Sequence, residues 1–225
     1  MKIIGAALLG SALLLGGATG AEATIVYETY TGTIAVGADT AGRFGAPNND
    51  LSGKTLKIQY RFDLNAGGIV YDNGSTTYQY YGGPAYGTPV ISTVKVSVDG
   101  VSRNFGSSYY SVSDNRKYLP AGTYDQVYAY SNDYPQSGEY TQSYVYSYTD
   151  DFLSSYGPDA HANYTATSSK SFGYSQAYDS AGFQANTNGN PVHVTVGSSA
   201  TGVPEPAALA LFGLGAAVLA ATRRR

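Results

Sequence analysis

Acyl transfer, phosphoryl transfer and metal chemistry each need particular side chains brought within hydrogen-bond reach of one another. This sequence supplies few of them. It has 2 histidines, His161 and His193, and no cysteine. The lack of cysteine removes thiol catalysis, disulfides, lipoprotein acylation and cysteine-ligated zinc. His193 stands between Val192 and Val194 and is expected on the solvent face of a strand, while His161, in Pro158-Asp159-Ala160-His161, reads as a loop residue. Serine is plentiful, but no Gly-x-Ser-x-Gly elbow, His-Glu-x-x-His pair or phosphate-cradling glycine loop occurs. The expectation is a non-catalytic protein with no cofactor.

Two weaker constellations remain. Asp150 and Asp151, with Asp159 nearby, bring hard oxygens of the kind calcium takes. Adjacent carboxylates on a strand point to opposite faces, however, and no spaced Asp-x-Asp-x-Asp loop is present, so a solvated acidic turn is the expectation and no metal site is assigned. The second is tyrosine. Tyr140, Tyr144, Tyr146 and Tyr148 share one face of an expected strand, and Tyr78, Tyr80, Tyr81 and Tyr86 crowd another region. Exposed aromatic rings stack on sugar faces while their hydroxyls hydrogen-bond, which makes Tyr144, Tyr146 and Tyr148 candidate glycan contacts. The competing reading, and the preferred one on composition, is that these rings build the core.

That preference comes from a shortage. Of the 180 residues from 24 to 203, only 31 are Leu, Ile, Val or Phe, and 5 of those are leucine. All 23 tyrosines fall in the same stretch, so tyrosine and valine must supply much of the interior. Both favour strands, and so few leucines do not support a helical bundle. The same stretch carries 9 basic and 14 acidic residues, a net charge of −5, which excludes nucleic-acid binding driven by positive charge.

The pattern agrees. From Leu56 to Leu64 every even residue is apolar and every odd one polar, the period of a half-buried strand. Val94-Lys95-Val96-Ser97-Val98 repeats it, and Asp99-Gly100 supplies a two-residue type I′ turn into Val101-Ser102-Arg103-Asn104-Phe105. Val192 to Val196 reads as a late strand, and Ile25 to Val36 as a first one with Tyr27, Tyr30, Ile34 and Val36 as partners. Tyr124 to Tyr130 and Tyr140 to Tyr148 place tyrosines on alternate positions. Turn signals stand at Asp72-Asn73-Gly74 and Gly82-Gly83-Pro84. The expected fold is all-β, an antiparallel β-sandwich, of which the jelly roll is one form.

The two ends read differently. Met1-Lys2, a short apolar run from Ile3 to Leu15 and small residues ending in Ala21-Glu22-Ala23 form an N-terminal signal peptide over 1–23, with Ala21 and Ala23 marking the cleavage site. Its partners are the general export machinery and signal peptidase. At the other end, Val203-Pro204-Glu205-Pro206 precedes an uncharged apolar stretch at 207–222 and then Arg223-Arg224-Arg225. As a helix, 16 residues span about 24 Å, a thin crossing of a hydrocarbon core of about 30 Å. The three arginines form a cytoplasmic stop. Pro204 and Pro206 keep the chain around Glu205 extended, a form a membrane protease can grip. The domains are therefore a signal peptide at 1–23, an exported β-sandwich at 24–202 and a sorting segment at 203–225 that ends in a C-terminal transmembrane helix and its basic cluster.

This last arrangement, Pro-Glu-Pro, short apolar helix and terminal basic cluster, resembles the PEP-CTERM sorting signal of Gram-negative bacteria. Val203, Pro204, Glu205 and Pro206 match its motif one by one, and Arg223, Arg224 and Arg225 match its basic end. The resemblance implies that exosortase, an integral membrane protease-transpeptidase, removes the tail. An inner-membrane-anchored precursor would then give a product at the cell surface or outside it, often in bacteria that make exopolysaccharide. The stretch containing Tyr30-Thr31-Gly32-Thr33, Asp39, Gly42, Phe44-Gly45, Leu51, Gly53-Lys54 and Tyr60 to Asp63 is also similar to the N-terminal part of many PEP-CTERM proteins, with no activity implied. Phe44, set among glycines, is expected to plug one end of the sandwich. The function expected on these grounds is an exported, non-catalytic surface or matrix protein, or alternatively a polysaccharide-binding module, with extracellular polysaccharide as its partner and no nucleic acid.

Overall fold

The computed structural model describes residues 24–66, 68–83, 91–107, 109–117, 124–133, 137–167 and 170–200. The expected signal peptide, the sorting segment at 203–225, Pro84 and Tyr86 lie outside the described residues. Among those described, every helix or strand element is a strand: β1 (Thr24–Thr33), β2 (Val36–Asp39), β3 (Asn49–Asp50), β4 (Thr55–Asp63), β5 (Ile69–Asp72), β6 (Thr77–Gly82), β7 (Ile91–Val98), β8 (Val101–Phe105), β9 (Tyr110–Arg116), β10 (Asp125–Asn132), β11 (Tyr140–Ser147), β12 (Ala162–Ala166), β13 (Ser171–Asp179), β14 (Phe183–Asn186) and β15 (Val192–Ala200). They form a six-stranded sheet, β12-β15-β1-β4-β7-β8, and a nine-stranded one, β3-β2-β14-β13-β11-β10-β9-β6-β5. All ladders are antiparallel. Packed face to face, they make a β-sandwich.

The strands with clear alternation behave as the sequence predicts. In β4, Leu56, Ile58, Tyr60 and Phe62 are fully buried while their odd-numbered neighbours are not. In the hairpin of β7 and β8, Val98 pairs with Val101, and Asp99 and Gly100 adopt φ of 45° and 86°, the left-handed pair that a type I′ turn requires. Phe44 is buried in the core against Phe105 and Phe183, with ring centroids 6.4 and 4.5 Å away.

The first strand differs from expectation. Ile25 to Val36 is not one strand: β1 ends at Thr33, and the chain then crosses to β2 in the other sheet. Ile34 makes the corner, buried, with its N–H on the Lys54 carbonyl at 2.8 Å, and Val36 emerges 61% exposed. Tyr27 is only half-buried; the inward positions of β1 are Val26, Glu28 and Tyr30. β1 also pairs with β15, with Thr24 opposite Ala200, so the first and last described residues are neighbours.

Candidate functional site

The larger sheet inverts the usual distribution of size between faces. In β11 the inward residues are Thr141, Ser143, Val145 and Ser147, while Tyr140, Gln142, Tyr144 and Tyr146 are half-buried on the outer face. β10 does the same, burying Val127, Ala129 and Ser131 and turning Tyr128 and Tyr130 out. In β13 the inward row is Ser171, Gly173, Ser175 and Ala177, and the outward row is Phe172, Tyr174, Gln176 and Tyr178. The expectation that the β11 tyrosines build the core is therefore corrected. Smaller inward side chains suffice because the facing sheet already fills the gap with Tyr30, Tyr60 and Phe62. At Gly173 the sheets come so close that an added Cβ would lie 2.5 Å from Val192 Cβ. Tyr80 does belong to the core, its hydroxyl donating to the Leu64 carbonyl at 2.6 Å.

Register assembles the outward side chains into one surface. Tyr144 lies between Tyr128 on β10 and Tyr174 on β13, and Tyr146 lies opposite Phe172. The rings of Tyr144, Tyr146 and Phe172 are near-parallel: interplanar angles are 9°, 22° and 27°, and centroids are 5.7 to 6.2 Å apart. Tyr148, 56% exposed, meets Tyr146 edge-on at 5.2 Å. Beside this cluster runs a hydrogen-bonded ladder. Tyr140 donates its hydroxyl to Gln142 Oε1 at 2.6 Å, Gln176 Nε2 donates to the Tyr140 hydroxyl at 2.7 Å, and Tyr174 donates to Gln176 Oε1 at 2.5 Å. Desolvation raises the Tyr140, Tyr144, Tyr146 and Tyr174 hydroxyls above their ordinary values, so all stay neutral near pH 7. The three glycan-contact candidates, Tyr144, Tyr146 and Tyr148, are thus brought together.

The other candidates are not. His161 lies in the loop before β12, and His193, half-buried on β15, has Nδ1 2.8 Å from Thr165 Oγ1. Asp150 accepts the Tyr164 hydroxyl, which holds it below the usual carboxylate range, and Asp151 is lowered by its contact with Lys117. Among the described residues no three His, Asp or Glu side chains are placed to hold a metal ion. No helix among them is long and apolar enough to cross a membrane.

The candidate tail, Val203, Pro204, Glu205, Pro206 and Arg223 to Arg225, lies outside the described residues, as do Ala21 and Ala23. It is matched independently by the family model of the PEP-CTERM protein-sorting motif, over residues 202–225. Residues 202–225 are a PEP-CTERM sorting motif. The motif implies an exported protein with a membrane-anchored precursor and exosortase as its processing partner. No curated protein and no solved structure matches the chain. The PEP-CTERM match covers the tail alone, so the role of the body rests on its own geometry.

One group escaped the sequence reading. Glu28 on β1 is fully buried between the sheets, receiving the Tyr30 hydroxyl on Oε2 and the Ser113 hydroxyl on Oε1, both at 2.7 Å. Desolvation pushes its carboxyl up to about 7, with the nearby Asp114 charge adding to the rise and the two hydroxyls opposing it. The only signal was phase: Glu28 shares parity with Val26 and Tyr30.

Proposed function

We propose that the exported body is a non-catalytic component of the cell surface or extracellular matrix of a Gram-negative bacterium, delivered by export and exosortase processing. The observation that carries this reading is the PEP-CTERM motif at 202–225. Residue order supports the route: an apolar leader precedes the sandwich and the motif follows it, while Thr24 and Ala200 are paired. Mass spectrometry of the exported protein tests the route. A mature form that starts near Thr24 and ends close to Pro204 is expected; one that retains Arg225 refutes exosortase processing.

A second reading is favoured by the outward tyrosines, namely that the body binds extracellular polysaccharide. Aromatic rings held at a sheet surface with neutral hydroxyls offer stacking and hydrogen bonding together. Tyr144, Tyr146 and Tyr148 lie on that surface rather than in the core. Polysaccharide pull-down compared between the native chain and Tyr146→Ala tests it. Loss of binding with folding intact is expected, and equal binding refutes it.

A further inference from the structure

We propose that the outer face of the larger sheet takes a neutral polysaccharide, whose sugar rings lie on Tyr144, Tyr146 and Phe172 while its hydroxyls meet the amide and hydroxyl ladder of Gln142, Gln176 and Tyr140. This rests on the sugar-binding reading above and adds the class of polymer and a division of labour across the face.

Charge selects the class. On the central strands of this face, β13, β11, β10 and β9, the outward charged side chains described are Asp114 and Arg116, and these neutralise each other, with Arg116 Nη2 2.7 Å from Asp114 Oδ2. Asp114 also accepts Gln79 Nε2 at 2.9 Å, which ties the pair into the surface network rather than leaving a cation for a ligand. The body as a whole carries −5 from 24 to 203, so an acidic polymer meets net repulsion, and the further cation beside the cluster, Lys170, whose carbonyl accepts the Tyr148 N–H at 2.9 Å, stands at its edge, just before β13. The opposite outer face differs: on the smaller sheet, Lys57 and Lys95 border a shallow groove with Thr31 and Gln59.

Shape and order select a sugar chain rather than a protein partner. Phe172 is 37% exposed and its two near-parallel tyrosine neighbours are half-buried, so the cluster offers one shared ring orientation in a rigid surface. Each ladder amide is already fixed by a neighbouring hydroxyl, so little side-chain freedom is lost when a ligand docks. The resulting mixture of stacking and in-plane hydrogen bonding suits a ligand that alternates C–H faces with equatorial hydroxyls. Protein interfaces instead have apolar centres with polar groups at the rim.

Affinity electrophoresis of the protein as the cell exports it tests the class directly, with hydroxyethylcellulose and mannan as neutral probes and alginate as the acidic one. Retardation by a neutral probe is expected, unchanged in about 0.5 M salt, where charge effects beyond a few ångströms are screened. It should weaken roughly tenfold in Phe172→Ala and in Tyr146→Ala, the loss of one stacking ring. Gln142→Ala, which keeps the rings, should weaken it several-fold, and circular dichroism of each variant confirms folding. Alginate retardation lost in Tyr146→Ala would overturn the neutral class while leaving sugar binding on this face intact. No retardation by any probe would overturn both. Self-association in sedimentation velocity that disappears in Phe172→Ala would assign the face to a second copy and overturn the proposal.

Discussion

Replacing Glu28 with glutamine should change how stability depends on pH more than it changes stability itself. The native carboxyl titrates near 7 against 4.5 for the free side chain. Because the folded value is the higher one, the unfolded chain releases this proton first as pH rises. The contribution of Glu28 is therefore fully present below pH 4.5, falls between 4.5 and 7, and is lost above 7. A gap of that size corresponds to about 3 kcal/mol. Glutamine removes the titration. It also replaces an acceptor oxygen with a donor, but Tyr30 and Ser113 carry hydroxyls that can turn to accept, so at low pH the variant should lose only about 1 kcal/mol. Urea unfolding of both proteins at pH 5 and pH 8.5 gives the comparison, and subtracting one from the other cancels the groups they share, such as the buried Asp125. Glu28→Gln should be slightly less stable than the native protein at the lower pH and more stable at the higher, with a swing of about 3 kcal/mol. A difference that stays constant across the range would refute the claim that Glu28 is desolvated in the native fold.

Three further substitutions probe other parts of the structure. Gly173→Ala should destabilise by about 1–3 kcal/mol in thermal unfolding, because its Cβ would stand 2.5 Å from Val192 Cβ where the two sheets meet. Gly100→Val should cost about 1–2 kcal/mol for a different reason, since space is open around it but its φ of 86° is hostile to a branched side chain; equal stability would argue against the type I′ turn. Arg43→Met should cost about 2 kcal/mol, discounted because Arg43 is 29% exposed. It leaves the fully buried Asp179, whose Oδ2 lies 3.0 Å from Arg43 Nε without an aligned hydrogen bond, with its ion-pair partner removed, and thermal unfolding of the two proteins reads the loss.

How far the sequence could be read depends on how sharply the two faces of each strand differ. In β4 the alternation is between Leu, Ile, Tyr, Phe and residues such as Lys, Gln and Arg, so period and phase are both legible and burial follows. In β11 the period is equally clear, but the choice is between tyrosine and a row of Thr, Ser, Val and Ser. Transfer free energy alone favours burying the rings. What decides the phase is the facing sheet, which a single strand cannot encode. Tyr30, Tyr60 and Phe62 reach across from β1 and β4, and the Tyr60 hydroxyl comes 3.3 Å from Ser143 Oγ. Sheets that pack about 10 Å apart hold large side chains from one side or the other at a given point, rarely from both. Once β1 and β4 supply them, β10, β11 and β13 must turn small residues inward, and their tyrosines have only the outer surface left. The leucine shortage that pointed to a tyrosine core was therefore right about β1, β4 and β6 and wrong about β11. The same complementarity that fills the interior also creates the aromatic face.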